Sequence, residues 1–85
     1  MNEIPSKEIL EQFDKILNGT EINISTDATP QQCIEYMKKR GYNHETETNG
    51  WQIDFWITFT KDDIPCFVYD GCWYDGTKYF KAYEE

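Results

Sequence analysis

A chain of 85 residues and 10.2 kDa is long enough for one domain, 1–85, and one thin core, burying roughly 64% of its unfolded surface. Its 16 acids against 8 bases leave a net charge of −8, which excludes unaided binding to a nucleic-acid backbone and disfavours an anionic membrane surface. Aromatics at 16% argue against disorder, no apolar run reaches the ~18 residues of a membrane span, and the first residues do not read as a signal peptide.

The first predicted element is a helix over residues 6–18. Ile9, Leu10, Phe13, Ile16 and Leu17 fall on one stripe of a 3.6-residue period, with Lys7, Glu8, Glu11, Asp14 and Lys15 off it. Ser6 is its N-cap, and Gly19 supplies the left-handed stop. Residues 20–25 read as a short strand, either on a sheet edge or as an extended connector. The second helix opens on a capping box, Thr29-Pro30-Gln31-Gln32, with proline at the first helical position. Cys33, Ile34 and Met37 form its buried stripe, with Tyr36 on the flank. Lys38, Lys39 and Arg40 crowd the last turn, where cations suit the helix dipole, and Gly41 ends it.

From Tyr42 the period changes to two. Asn49-Gly50 is a strong hairpin signal. A two-residue turn there pairs Thr48 with Trp51, Thr46 with Ile53 and His44 with Phe55. Trp51, Ile53, Phe55, Ile57 and Phe59 then share the inner face, and Gln52, Asp54, Trp56, Thr58 and Thr60 the outer one. Lys61-Asp62-Asp63 makes the next turn. A strand over 64–69 follows, with Cys66 and Val68 inward and Pro65 marking a bulge or an unpaired edge. Tyr69-Asp70-Gly71 and Tyr74-Asp75-Gly76 repeat one tripeptide, so either Asp-Gly can turn. The expected loop spans 70–76, with Cys72, Trp73 and Tyr74 near its tip. A last strand over 77–83 points Phe80 and Ala82 inward. The predicted core is Leu10, Phe13, Leu17, Ile34, Met37, Ile53, Phe55, Ile57, Val68 and Phe80.

Little in this sequence is arranged for catalysis. The lone histidine, His44, could pair with Cys66 as base and nucleophile, but a half-buried histidine beside an aromatic ring accounts for it as well. No Gly-rich phosphate loop or nucleophile elbow is present, and neither a catalytic residue nor a cofactor is expected. One histidine and three scattered cysteines lack the paired spacing of zinc sites, and no metal is expected. Without a secretion signal, Cys33, Cys66 and Cys72 read as free thiols of a cytoplasmic protein.

Charge placement says more. Residues 43–85 hold nine acids and three bases; residues 1–42 hold seven and five. The acidity therefore belongs to the sheet half. The two-residue turn sets Glu45 against Asp54 and Glu47 against Gln52, beside Trp56. Like charges directly opposite cost stability, so their presence suggests another use. Phe67, Tyr69, Tyr79 and Tyr83 are expected on the same face as Trp56. Aromatics framed by carboxylates have the composition of a protein-binding hot spot, although aromatic cross-strand pairs also stabilise sheets with no partner at all.

The expected fold is α+β, with two helices on one face of a small antiparallel sheet in the order α-β-α-β-β-β-β. The expected function is an acidic protein-binding module, an inhibitor whose carboxylates stand where phosphates would on a basic partner such as a nuclease or other nucleic-acid-binding protein. Phage anti-defence proteins, whether anti-CRISPR or anti-restriction, and bacteriocin immunity proteins use this chemistry as a class, though no family motif is shared. The expected contacts are Glu45, Glu47, Asp54, Trp56, Tyr69, Trp73, Tyr74 and Tyr79. A self-associating structural domain, monomer or homodimer, is the first alternative. A small thiol enzyme using Cys72 is the second.

Overall fold

Ser6 caps the first helix as its sequence suggests: its hydroxyl accepts from the Ile9 N–H at 3.2 Å. The structure, a computed structural model, describes residues 5–49 and 54–84. Helix α1 (Lys7–Leu17) runs to Gly19, whose φ of 82° suits glycine alone without strain. Strand β1 (Asn23–Ser25) leads to α2 (Pro30–Lys39), which carries the full capping box. The Thr29 hydroxyl accepts from Gln32 N–H, and the Gln32 side chain accepts from Thr29 N–H. Four strands follow: β2 (Asn43–Thr48), β3 (Asp54–Lys61), β4 (Ile64–Cys72) and β5 (Lys78–Ala82). They form a meander, and β1 adds to its β5 edge, giving the antiparallel order β1-β5-β4-β3-β2. The fold is α+β, in the chain order the periodicity implies.

Both helices cover one face. Phe13 of α1 meets Tyr36 of α2 at 4.6 Å between centroids and Phe80 of β5 at 5.4 Å, edge-on. Phe55, Ile57, Phe59, Tyr69 and Phe80 line the sheet side of this core, and Ile16, Ala28, Cys33 and Met37 close it from above. Burial disfavours the ionised forms of core groups. It pushes the Cys33 thiol well above its usual range, and it pushes the Tyr36 hydroxyl, which also donates to Asp14, up to about 12.

Several expectations need correction. In the β2–β3 hairpin, Thr48 faces Phe55, Thr46 faces Ile57 and His44 faces Phe59, a slip of four residues from the two-residue turn. Asn49 N–H donates to Asp54 O at 3.1 Å, so the connection is longer than Asn49-Gly50; Trp51, Gln52 and Ile53 lie outside the described residues. An even slip keeps every side chain on its own face, so the inside–outside pattern could not choose between the two registers.

In β4 the faces are exchanged. Phe67 and Tyr69 point inward, and Val68 points out. Phe59 faces Phe67 and Thr60 faces Pro65, so Cys66 is the extra residue of a bulge where Pro65 had hinted at one. Two aromatic rings bury more apolar area than Cys66 and Val68 would, and that difference decides the phase. Leu10, expected in the core, is 37% exposed, because α1 leans on the sheet through Phe13 and Ile16 instead.

The loop expected over 70–76 is shorter: the β4–β5 turn uses the second Asp-Gly, and Cys72 lies in the strand rather than near the tip. Strand β4 continues through Asp70 and Gly71 to Cys72, whose N–H donates to Thr77 O at 2.9 Å. Gly76, with φ of 76°, takes the left-handed position of the four-residue loop. Gly71 serves a different end. A Cβ there would lie 2.8 Å from two ring carbons of Phe55 and from Thr77 O. Its absence lets Phe55 lie across the strand, with Trp73 stacked on it at 4.4 Å. Gly71→Ala is therefore expected to cost about 1–3 kcal/mol by overpacking. Urea unfolding measures this; an unchanged midpoint would mean that the Phe55–Trp73 stack yields freely.

Candidate functional site

The face of the sheet opposite the helices has no described helix over it. Alternation along β3, β4 and β5 sends Asp54, Trp56 and Thr58, then Val68, Asp70 and Cys72, then Tyr79 and Lys81 to this side. From β2 come Glu45 and Glu47. The registers line these up in rows. Across the strands, Ser25, Tyr79, Asp70, Trp56 and Glu47 stand side by side, so acids and rings alternate. The next row is Asn23, Lys81, Val68, Thr58 and Glu45.

Hydrogen bonds fix the centre of this surface. Trp56 Nε1–H donates to a Glu47 carboxylate oxygen at 3.1 Å, which ties the indole to β2. Lys81 Nζ lies 2.8 Å from an Asp70 carboxylate oxygen. Among the described strand residues, Lys81 is the one cation on this face, and Asp70 neutralises it. Glu45, Glu47 and Asp54 are left as a net negative flank. Two shallow grooves, of ≈ 380 and ≈ 400 Å³, meet at Trp56 and Asp70. The first runs past Val68 and Lys81 to Tyr83; the second runs past Asp54 and Cys72 to Tyr79.

The expected contact residues divide accordingly. Glu45, Glu47, Asp54, Trp56 and Tyr79 do share one face. The pairing between them differs from expectation: Glu45 faces Thr58 and Glu47 faces Trp56, so the Glu45–Asp54 repulsion is absent. Asp54 instead faces Cys72 and accepts from Asn49 Nδ2–H at 3.3 Å. Trp73 and Tyr74 lie at the β4–β5 tip, 60% and 89% exposed, and Trp73 packs on Phe55, a ring of the helix side, rather than on the open face. The Thr77 N–H and hydroxyl both donate to Asp75 there, hold its carboxyl below the usual range and shape the tip.

Tyr69 is not a contact residue. It is fully buried on the helix side, where its hydroxyl donates to Ala28 O. Phe67 likewise belongs to the core side. The residues that sequence reasoning missed are Asp70, Val68 and Lys81. They follow from the same alternation once the phase of β4 is set by Phe67 and Tyr69.

The thiol alternatives fare differently. Cys66 Sγ–H donates to Ile64 O at 3.2 Å at the bulge, rather than to an imidazole, and His44 sits exposed beside Phe59 at 6.4 Å. Cys72 has an acid, Asp54, as its cross-strand neighbour, whereas thiolate activation calls for a cation or a base. All three cysteines are free. None of the described helices is long and apolar enough to cross a membrane.

Comparison with family models, curated proteins and solved structures finds no match to this chain.

Proposed function

We propose that this protein is a cytoplasmic binding module whose helix-free sheet face docks on a basic surface of a nucleic-acid-handling protein and inhibits it. The observation that supports this is the alternating row Glu47, Trp56, Asp70 and Tyr79, flanked by Glu45 and Asp54. Rings at the centre supply desolvated anchor area, and carboxylates at the rim steer a cationic partner and repel nucleic acid. Trp73 and Tyr74 extend the contact at the end of the sheet. Carboxylates about one strand apart also offer a guanidinium-rich cleft the anionic points it otherwise finds on phosphates. This is a likeness of chemistry to the phage anti-defence and immunity strategies named above, with no catalytic step and no cofactor assigned to this chain.

The test is capture on the immobilised protein. The expected partner is basic, is released as salt rises, and is displaced by duplex DNA added as competitor. A retained partner indifferent to both salt and DNA would overturn the reading.

A further inference from the structure

Strand β2 is exposed at all six of its residues, Asn43–Thr48, and no described strand pairs with its far side. Its ladder with β3 is unbroken from Asn43–Thr60 to Thr48–Phe55. Asn49 N–H donates to Asp54 O, and in an antiparallel ladder such bonded pairs alternate. Glu47, Glu45 and Asn43 therefore turn their backbone groups toward β3. His44, Thr46 and Thr48 turn their N–H and C=O groups outward, in the plane of the sheet. Edges of this length are usually blunted by proline, a bulge or charged side chains. Strand β2 has neither proline nor bulge; its only charges are two glutamates on one face, which guard against a like-charged strand but not against a basic one. The opposite edge, β1, has only three residues.

The glutamates also choose the occupant. In an antiparallel pair of two copies, facing residues lie on the same side of the sheet. Both registers that would overlap more than three residues of β2 then set Glu45 against Glu45, or Glu45 against Glu47. A second copy is thus repelled. A strand with lysine or arginine at alternate positions sets a cation against each glutamate instead.

We infer that the free edge of β2 takes up an extended segment of the basic partner, with Lys or Arg at every second residue, as a sixth strand. This rests on the proposed function and names its recognition mode: backbone bonds to His44, Thr46 and Thr48, and cations against Glu45 and Glu47.

The probe is a capped peptide, Thr-Lys-Thr-Lys-Thr-Lys-Thr, titrated into the full chain at low salt and followed by amide NMR. The expected result is slowed hydrogen exchange at His44, Thr46 and Thr48. N-methylation of alternate peptide nitrogens on the pairing edge is expected to weaken binding at least tenfold. Thr46→Pro removes an outward N–H without touching the β3 ladder and is expected to do the same. Should that variant not fold, the N-methylated peptide still decides. Equal binding of the methylated peptide would overturn edge pairing and leave side-chain docking on the open face standing. No binding of either peptide would also overturn edge pairing, while salt- and DNA-sensitive capture judges the open face separately.

Discussion

Tyr69→Ala is expected to unfold this protein at moderate temperature, and Tyr79→Ala to leave it folded. The two tyrosines lie on adjacent strands and look alike in sequence. Tyr69 is fully buried against Phe55 at 5.9 Å, and its hydroxyl reaches Ala28 O. Truncating a buried aromatic leaves a cavity and costs about 3–5 kcal/mol. An 85-residue domain holds only about 4–13 kcal/mol in all. Tyr69→Phe separates the two contributions: it keeps the ring, removes the donor to a buried carbonyl, and is expected to cost about 1–3 kcal/mol. Tyr79 is 40% exposed between Ser25 and Asp70, so its truncation is expected to cost under about 1 kcal/mol while weakening partner binding. Thermal and urea unfolding of the three variants check this order. A Tyr79 variant as unstable as Tyr69→Ala would mean that the outer face is part of the core.

Those two residues also mark where the sequence was legible. The helices announce themselves locally, through Ser6, the Thr29–Gln32 box and the glycines that stop each one, and all of these act within a few residues. The outward placement of Trp56 and Asp54 follows from alternation with Phe55, Ile57 and Phe59. Strand β4 offers apolar residues on both sides, Cys66 and Val68 against Phe67 and Tyr69, so its phase depends on which set meets Phe13, Ala28 and Cys33 across the core. That contact lies some forty residues away in sequence for Tyr69 and Ala28, and no local pattern reports it. The hairpin register is hidden for a different reason: any even slip of β2 against β3 preserves the faces, and only the length of the connection after Asn49 separates the choices. The open face was thus foreseeable in composition, whereas its central row required the tertiary fold.

The acidic flank of that row sets the second large effect. Glu45→Lys, Glu47→Lys and Asp54→Lys together add two charges each, moving the net charge from −8 to about −2 and reversing the sign of the flank beside Trp56. All three positions are exposed, and the lost Trp56–Glu47 bond is a surface one, so folding is expected to change by about 1 kcal/mol or less. Association with the captured basic partner is expected to slow by about 10–1,000-fold at low ionic strength, because steering by the field is lost and contact becomes repulsive. The gap between wild type and variant is expected to close as salt rises, since exposed charges more than about 8–10 Å apart are screened at 0.1–0.15 M. Stopped-flow association across a salt series measures both trends. Equal rates at low salt would show that the carboxylates only keep the protein soluble. A difference indifferent to salt would instead mean that the lysines disturb the Trp56 surface by shape rather than by charge.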